Sequence, residues 1–171
     1  MKKEYLIAAV ILAVAFARLV PHPYNFTPIG AFALFCGAYI ADRRFLVLPL
    51  LAVFIGDLFT GLYTFTVMIA VYAGFAASTM ISRQVLFDRI SPVRFLCALL
   101  LAAVAFYLIS NIGMWWHAYP HTLTALVTCW LDGLPFLLRS LTGDFVYGCI
   151  MFGIVEALRL KQLPNARAIS Q

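Results

Sequence analysis

Few side chains in this sequence can do chemistry, and they fall in a handful of places. The run LVPHPYNFTPIGA, from Leu19 to Ala31, holds His22, Tyr24 and Asn25 among three prolines. Asp57 lies in FIGDLFTGLY, and Arg139 and Asp144 bound the run RSLTGD. Asn111 leads into GMWWHAYPH, with Trp115, Trp116, His117, Tyr119 and His121. Asp57, Arg139 and Asp144 stand inside apolar sequence, where an ionisable group costs at least ~2.5 kcal/mol by insertion scales and is paired or functional. Arg139 is the natural partner of either acid, by a charge-assisted hydrogen bond.

Catalysis finds less support than binding. The sequence has no H-E-x-x-H, no G-x-S-x-G and no P-loop. His117 and His121 have a zinc-compatible spacing of four, but Pro120 between them opposes a regular helix. The 4 cysteines, Cys36, Cys97, Cys129 and Cys149, form no C-x-x-C pair and read mostly as small buried hydrophobes. No cofactor and no resident metal are expected, and the chain is not expected to be an enzyme. A few polar groups among aliphatic and aromatic residues suit a small-molecule pocket. The candidate ligand residues are His22, Tyr24, Asn25, Asp57, Asn111, Trp116, Arg139 and Asp144.

The elements that must position them are set by composition. Of 171 residues 64% are hydrophobic and 11% charged, with a mean hydropathy of +0.97. A soluble domain carries about a quarter charged residues, so the solvent here must be largely lipid. Apolar stretches fall at about 5–20, 28–41, 45–62, 65–82, 93–112 and 135–159. Each reads as a helix, because backbone groups in lipid must be satisfied within the segment. This predicts a single all-α transmembrane domain over 1–171 with six transmembrane helices. A short extra helix, from His121 to Gly133, is expected before the last span. The opening MKKEYLIAAVILAVAFA resembles a signal peptide, but it runs on to about Val20, close to the ~20 residues of a spanning helix. It is read as a membrane helix.

Six spans with cytoplasmic termini place Lys2, Lys3, Arg43, Arg44, Arg83, Arg89, Arg94, Arg159, Lys161 and Arg167 on the inner side. Of the 12 basic residues only Arg18 and Arg139 remain outside. The net charge of +5 thus belongs to a face toward anionic lipid and implies no nucleic-acid partner. Pro21 and Pro23 end the first helix, Pro28 suits the start of the second, and PHPYN between them reads as a stiff outer loop. It is expected to fold over the bundle mouth. In the first helix Ala9, Ala13 and Ala17 form a small-residue stripe. That stripe is either an internal seam or a docking face for another membrane protein.

Three runs carry a resemblance: ARLVPHPYNFTPIGAFALFCGAYI, LPLLAVFIGDLFTG, and SNIGMWWHAYPHTLTALVTCWLDGLPFLLRSLTGDFVYGCIMFG. Over about residues 17–153 the chain resembles a family of small bacterial membrane proteins assigned to transport. That family in turn resembles the substrate-binding S-components of energy-coupling factor (ECF) transporters, and within them the solitary cobalamin transporters of the BtuM group. The resemblance implies an S-component-like bundle in the bacterial inner membrane, with an outward-facing site. It implies uptake of a vitamin-class small molecule, a corrinoid first. It places His22, Asp57, Tyr72 and Arg139 in binding positions and the alanine stripe on an energy-coupling module. The BtuM group is expected to carry a cysteine near the start of the fourth helix as a cobalt ligand. Thr64–Tyr72 has none, which leaves His22 as the candidate ligand to a metal-containing substrate. The other readings are a cell-envelope scaffold working through helix contacts, and an intramembrane enzyme using Asp57 and Asp144.

Overall fold

The computed structural model describes Val14, Phe16 and residues 25–87 and 89–168, with side chains for all of these except Arg43, Phe45 and 158–168. The expected first span at 5–20 lies outside the described residues apart from Val14 and Phe16. So do His22, Tyr24 and the stripe Ala9, Ala13 and Ala17. The described chain is all-α: α1 (Ile29–Tyr39), a 3-10 turn (Arg43–Val47), α2 (Leu48–Thr60), α3 (Phe65–Leu86), α4 (Pro92–Ala118) and α5 (Leu123–Ala168).

Local chemistry sets these boundaries. Ile40 is extended and its N–H returns to the Cys36 carbonyl, which ends α1. Gly61 ends α2 at φ 99°, where a Cβ would be strained. Ser91 caps α4 by accepting from the Arg94 N–H, with Pro92 in the first turn. Pro120 follows close behind the end of α4.

Six spanning helices are not what the chain builds. Among the described residues three helices are long and apolar enough to cross a bilayer: Phe65–Leu86, Pro92–Ala118 and Leu123–Ala157. The stretches at 28–41 and 45–62 make helices of 11 and 13 residues. At 1.5 Å per residue these reach about 17 and 20 Å, short of a hydrocarbon core of about 30 Å. Eight of the eleven α1 residues are buried, so their apolarity answers to protein neighbours. The expected break before the last span is also absent, because α5 runs unbroken through Pro135 for 46 residues. Proline is tolerated in membrane helices because neighbouring groups re-satisfy the backbone it frees.

The long helices enclose α1. One face of α3 presents Gly74, Ser78 and Ser82 at four-residue spacing, all buried. Small residues at that spacing let helices approach closely. Ser78 Oγ donates to the Gly74 and Ala102 carbonyls, and Ser82 Oγ donates to the Leu34 carbonyl of α1. A Cβ on Gly37 would stand 2.4 Å from the Thr79 carbonyl oxygen, so α1 meets α3 backbone to backbone. Phe35, Tyr39, Phe95 and Phe152 close one end of the core in edge and tilted contacts. At that end Arg83 donates to the Ile40 and Ala41 carbonyls, and Arg94 donates to that of Val85. Arginine therefore satisfies helix ends on one side of the molecule. Outward faces carry Ile69, Leu101, Leu131 and Ile154, all more than half exposed, as lipid contact requires.

Candidate ligand cavity

The α1 N-terminus builds the site. Its N-cap is Pro28, which provides no side-chain cap, so the first N–H groups need an outside acceptor. Asp144, on α5, supplies it: its Oδ1 accepts from the Ala31 N–H at 3.0 Å. The carboxylate lies flat on Gly30, where a Cβ would come within 2.2–2.5 Å of its atoms. Only glycine permits that approach. The hydrogen bond and the positive end of the α1 dipole together offset the cost of a carboxylate in this helix.

Asp144 also faces open space. A cavity of about 230 Å³ lies between α1, α3, α4 and α5. Ile29, Gly30 and Leu34 line it from α1, Val53 from α2, and Val71, Phe75 and Ser78 from α3. Ala102, Ala103 and Phe106 line it from α4, and Ser140 and Asp144 from α5. Asn25, Thr27 and Tyr63 sit among the lining residues before the helices begin. Asn25 is left-handed, at φ 64°, a region asparagine tolerates. The Phe75 and Phe106 rings meet at 4.5 Å on one wall. The space exists because Gly, Ala and Ser occupy facing positions on the surrounding helices.

The candidate residues separate into groups. Asn25 and Asp144 line the cavity. Asp57 is fully buried, and its Oδ2 accepts from the Tyr72 hydroxyl at 3.0 Å. This pair lies beside the cavity: Val53, one turn before Asp57, and Val71 and Phe75, flanking Tyr72, reach the lining. Asn111 is in the α4–α5 seam, donating to the Tyr107 carbonyl and accepting from the Cys129 thiol. Trp116 stacks on His121 at 4.3 Å, and the His121 ring meets the Trp116 carbonyl. Trp115 donates to the Pro120 carbonyl, so GMWWHAYPH folds on itself as a helix corner. His117 pairs with Thr64.

Arg139 is exposed and makes no ion pair with Asp57 or Asp144. Arg139 and Asp144 are five residues apart on one helix, which turns them about 140° from each other. Asp144 is served by a backbone donor on another helix instead. Ser78, Ser140, Gly30 and Phe106 went unnoticed in the sequence. The signal for Ser78 was present in the four-residue spacing of Gly74, Ser78 and Ser82. Gly30 and Phe106 carried none, because their role depends on which helix faces them. All four cysteines are free, with Cys36 and Cys129 buried. No cluster of metal-ligating side chains occurs among the described residues.

Residues 1–166 match a family model described as "Family of unknown function (DUF6580)". The chain belongs to that family. No curated protein and no solved structure matches it. Its long apolar helices make it a membrane protein.

Proposed function

We propose that this membrane protein binds a small molecule in the cavity between α1, α3, α4 and α5 and serves in its transport, in the manner of an S-component. The observation that carries the reading is the cavity itself, about 230 Å³, with apolar and aromatic walls and a few polar groups. Ligand sites have that character, whereas a scaffold working through helix contacts would fill the same space with side chains. Drug-sized ligands occupy pockets of about 300–1,000 Å³. The cavity volume therefore favours a compact molecule over the corrinoid that the resemblance put first. With no P-loop in the sequence, uptake would draw on a gradient or on a coupling module. In this reading the protein sits in the bacterial inner membrane with its arginine-capped end toward the cytoplasm.

Mass spectrometry of small molecules released from the purified protein tests the reading. A compact compound should be released from the parent protein and be absent from Ala103→Phe, whose ring would occupy the cavity. An identical release profile from both proteins, or a profile with lipid alone, would overturn it.

A further inference from the structure

Resting on the reading of the cavity as a ligand site, we propose that it takes a small organic monocation, a protonated amine, with Asp144 as its counter-ion. Asp144 is the one residue of formal charge among the described residues lining the cavity, and no lysine, arginine or histidine is among them. Only one of its carboxylate oxygens is engaged: Oδ1 accepts from Ala31, while Oδ2 accepts nothing from the described residues. Asp144 is half-buried and open to the cavity. Arg139, five residues before it and about 140° around the same helix, makes no ion pair with it.

The walls agree with this charge. Phe75 and Phe106 meet at 4.5 Å on the lining, and aromatic faces attract cations through the ring quadrupole. The hydroxyls of Ser78 and Ser140 both lie on the lining as well, each donating along its helix to a carbonyl. Their oxygens are thereby left as acceptors for an ammonium N–H. An anion in the same space would meet the Asp144 carboxylate in a medium of low dielectric, where repulsion is far stronger than in water. A neutral ligand without a donor would leave Oδ2 with no partner among the described residues.

Three probes of one shape separate the possibilities: benzylammonium, benzyl alcohol and benzoate, each titrated calorimetrically into the detergent-purified protein. Benzylammonium should bind at least tenfold tighter than benzyl alcohol, and benzoate should be the weakest. Asp144→Asn keeps an oxygen for the Ala31 N–H, so it should remove the preference for benzylammonium over benzyl alcohol. A second variant, Ser140→Lys, keeps Asp144 and supplies a fixed cation one turn away. It should weaken benzylammonium at least tenfold, which keeps the test alive if Asp144→Asn does not fold. Benzoate binding as tightly as benzylammonium, or a cation preference that survives both variants, would overturn the proposal. If benzyl alcohol binds and is lost in Ala103→Phe without any preference for the cation, the ligand cavity stands and its charge selectivity falls. If no probe binds and nothing is released from the purified protein, both fall together.

Discussion

Asp144 and Gly30 depend on each other at the scale of single residues. The carboxylate caps α1 from another helix because Pro28 cannot, and it fits only because position 30 has no Cβ. Gly30→Ala should destabilise the protein by about 1–3 kcal/mol, the usual cost of forcing atoms into a packed site. Asp144→Ala should cost about 1–2 kcal/mol through loss of the cap. In the Asp144→Ala background Gly30→Ala should be nearly neutral, because the atoms that its methyl would strike are gone. A double-mutant cycle on unfolding in mixed detergent measures this coupling. Additive costs would mean that Gly30 is required for another reason.

At the scale of elements, two junctions make separate expectations. The α1–α3 seam has no room at Gly37, where a Cβ would stand 2.4 Å from the Thr79 carbonyl and 2.7 Å from the Ser82 Cβ. Backbone cannot rotate away, so Gly37→Ala should destabilise by about 1–3 kcal/mol or more. Gly153, with none of the described residues within 4 Å of its added Cβ, is the matched control. There alanine should raise stability by about 0.5–1 kcal/mol through helix propensity. The second junction is the α4–α5 corner, where the Tyr119 hydroxyl donates to Asp132 Oδ2 at 2.9 Å. That hydrogen bond raises the Tyr119 pKa above its ordinary value, because it holds the proton on the phenol, and a phenolate there would also face the Asp132 charge. The neutral form is the bonded one. The contact is therefore intact below the ordinary tyrosine pKa of about 10 and is lost as pH rises through the raised value. Ultraviolet titration should show one tyrosine ionising late, and Asp132→Asn should bring it back toward the others.

For the whole molecule the decisive expectation is the sidedness of its long helices. The loop between α3 and α4 adjoins the arginine-capped end, and the corner between α4 and α5 lies at the other. In a cysteine-free background, Thr122→Cys should be labelled by an impermeant thiol reagent in intact cells. Ser91→Cys should be labelled only after permeabilisation. Labelling of both from one side would mean that α4 does not cross the bilayer, and the reverse pattern would invert the orientation.

The membrane-protein class and the long apolar helices were legible from residue types, and the described residues are all-α. Each follows from summed transfer free energies and from the satisfaction of backbone groups within a segment. Which apolar stretches cross the membrane was not legible. Leucine, phenylalanine and alanine read alike whether they face lipid or, as in α1, other helices. Asp144 was visible as an anomaly in an apolar helix, and Asp57 likewise. Their partners were not, because opposite charge suggested Arg139 while helix rotation and chain topology delivered the Ala31 N–H and the Tyr72 hydroxyl. Glycine, alanine and serine carry no sign of a cavity in sequence, since a void is a property of several chain segments meeting with too little side chain between them. Only the packing of α1 among α3, α4 and α5 decided that one would form, and that the Asp144 carboxylate would face into it.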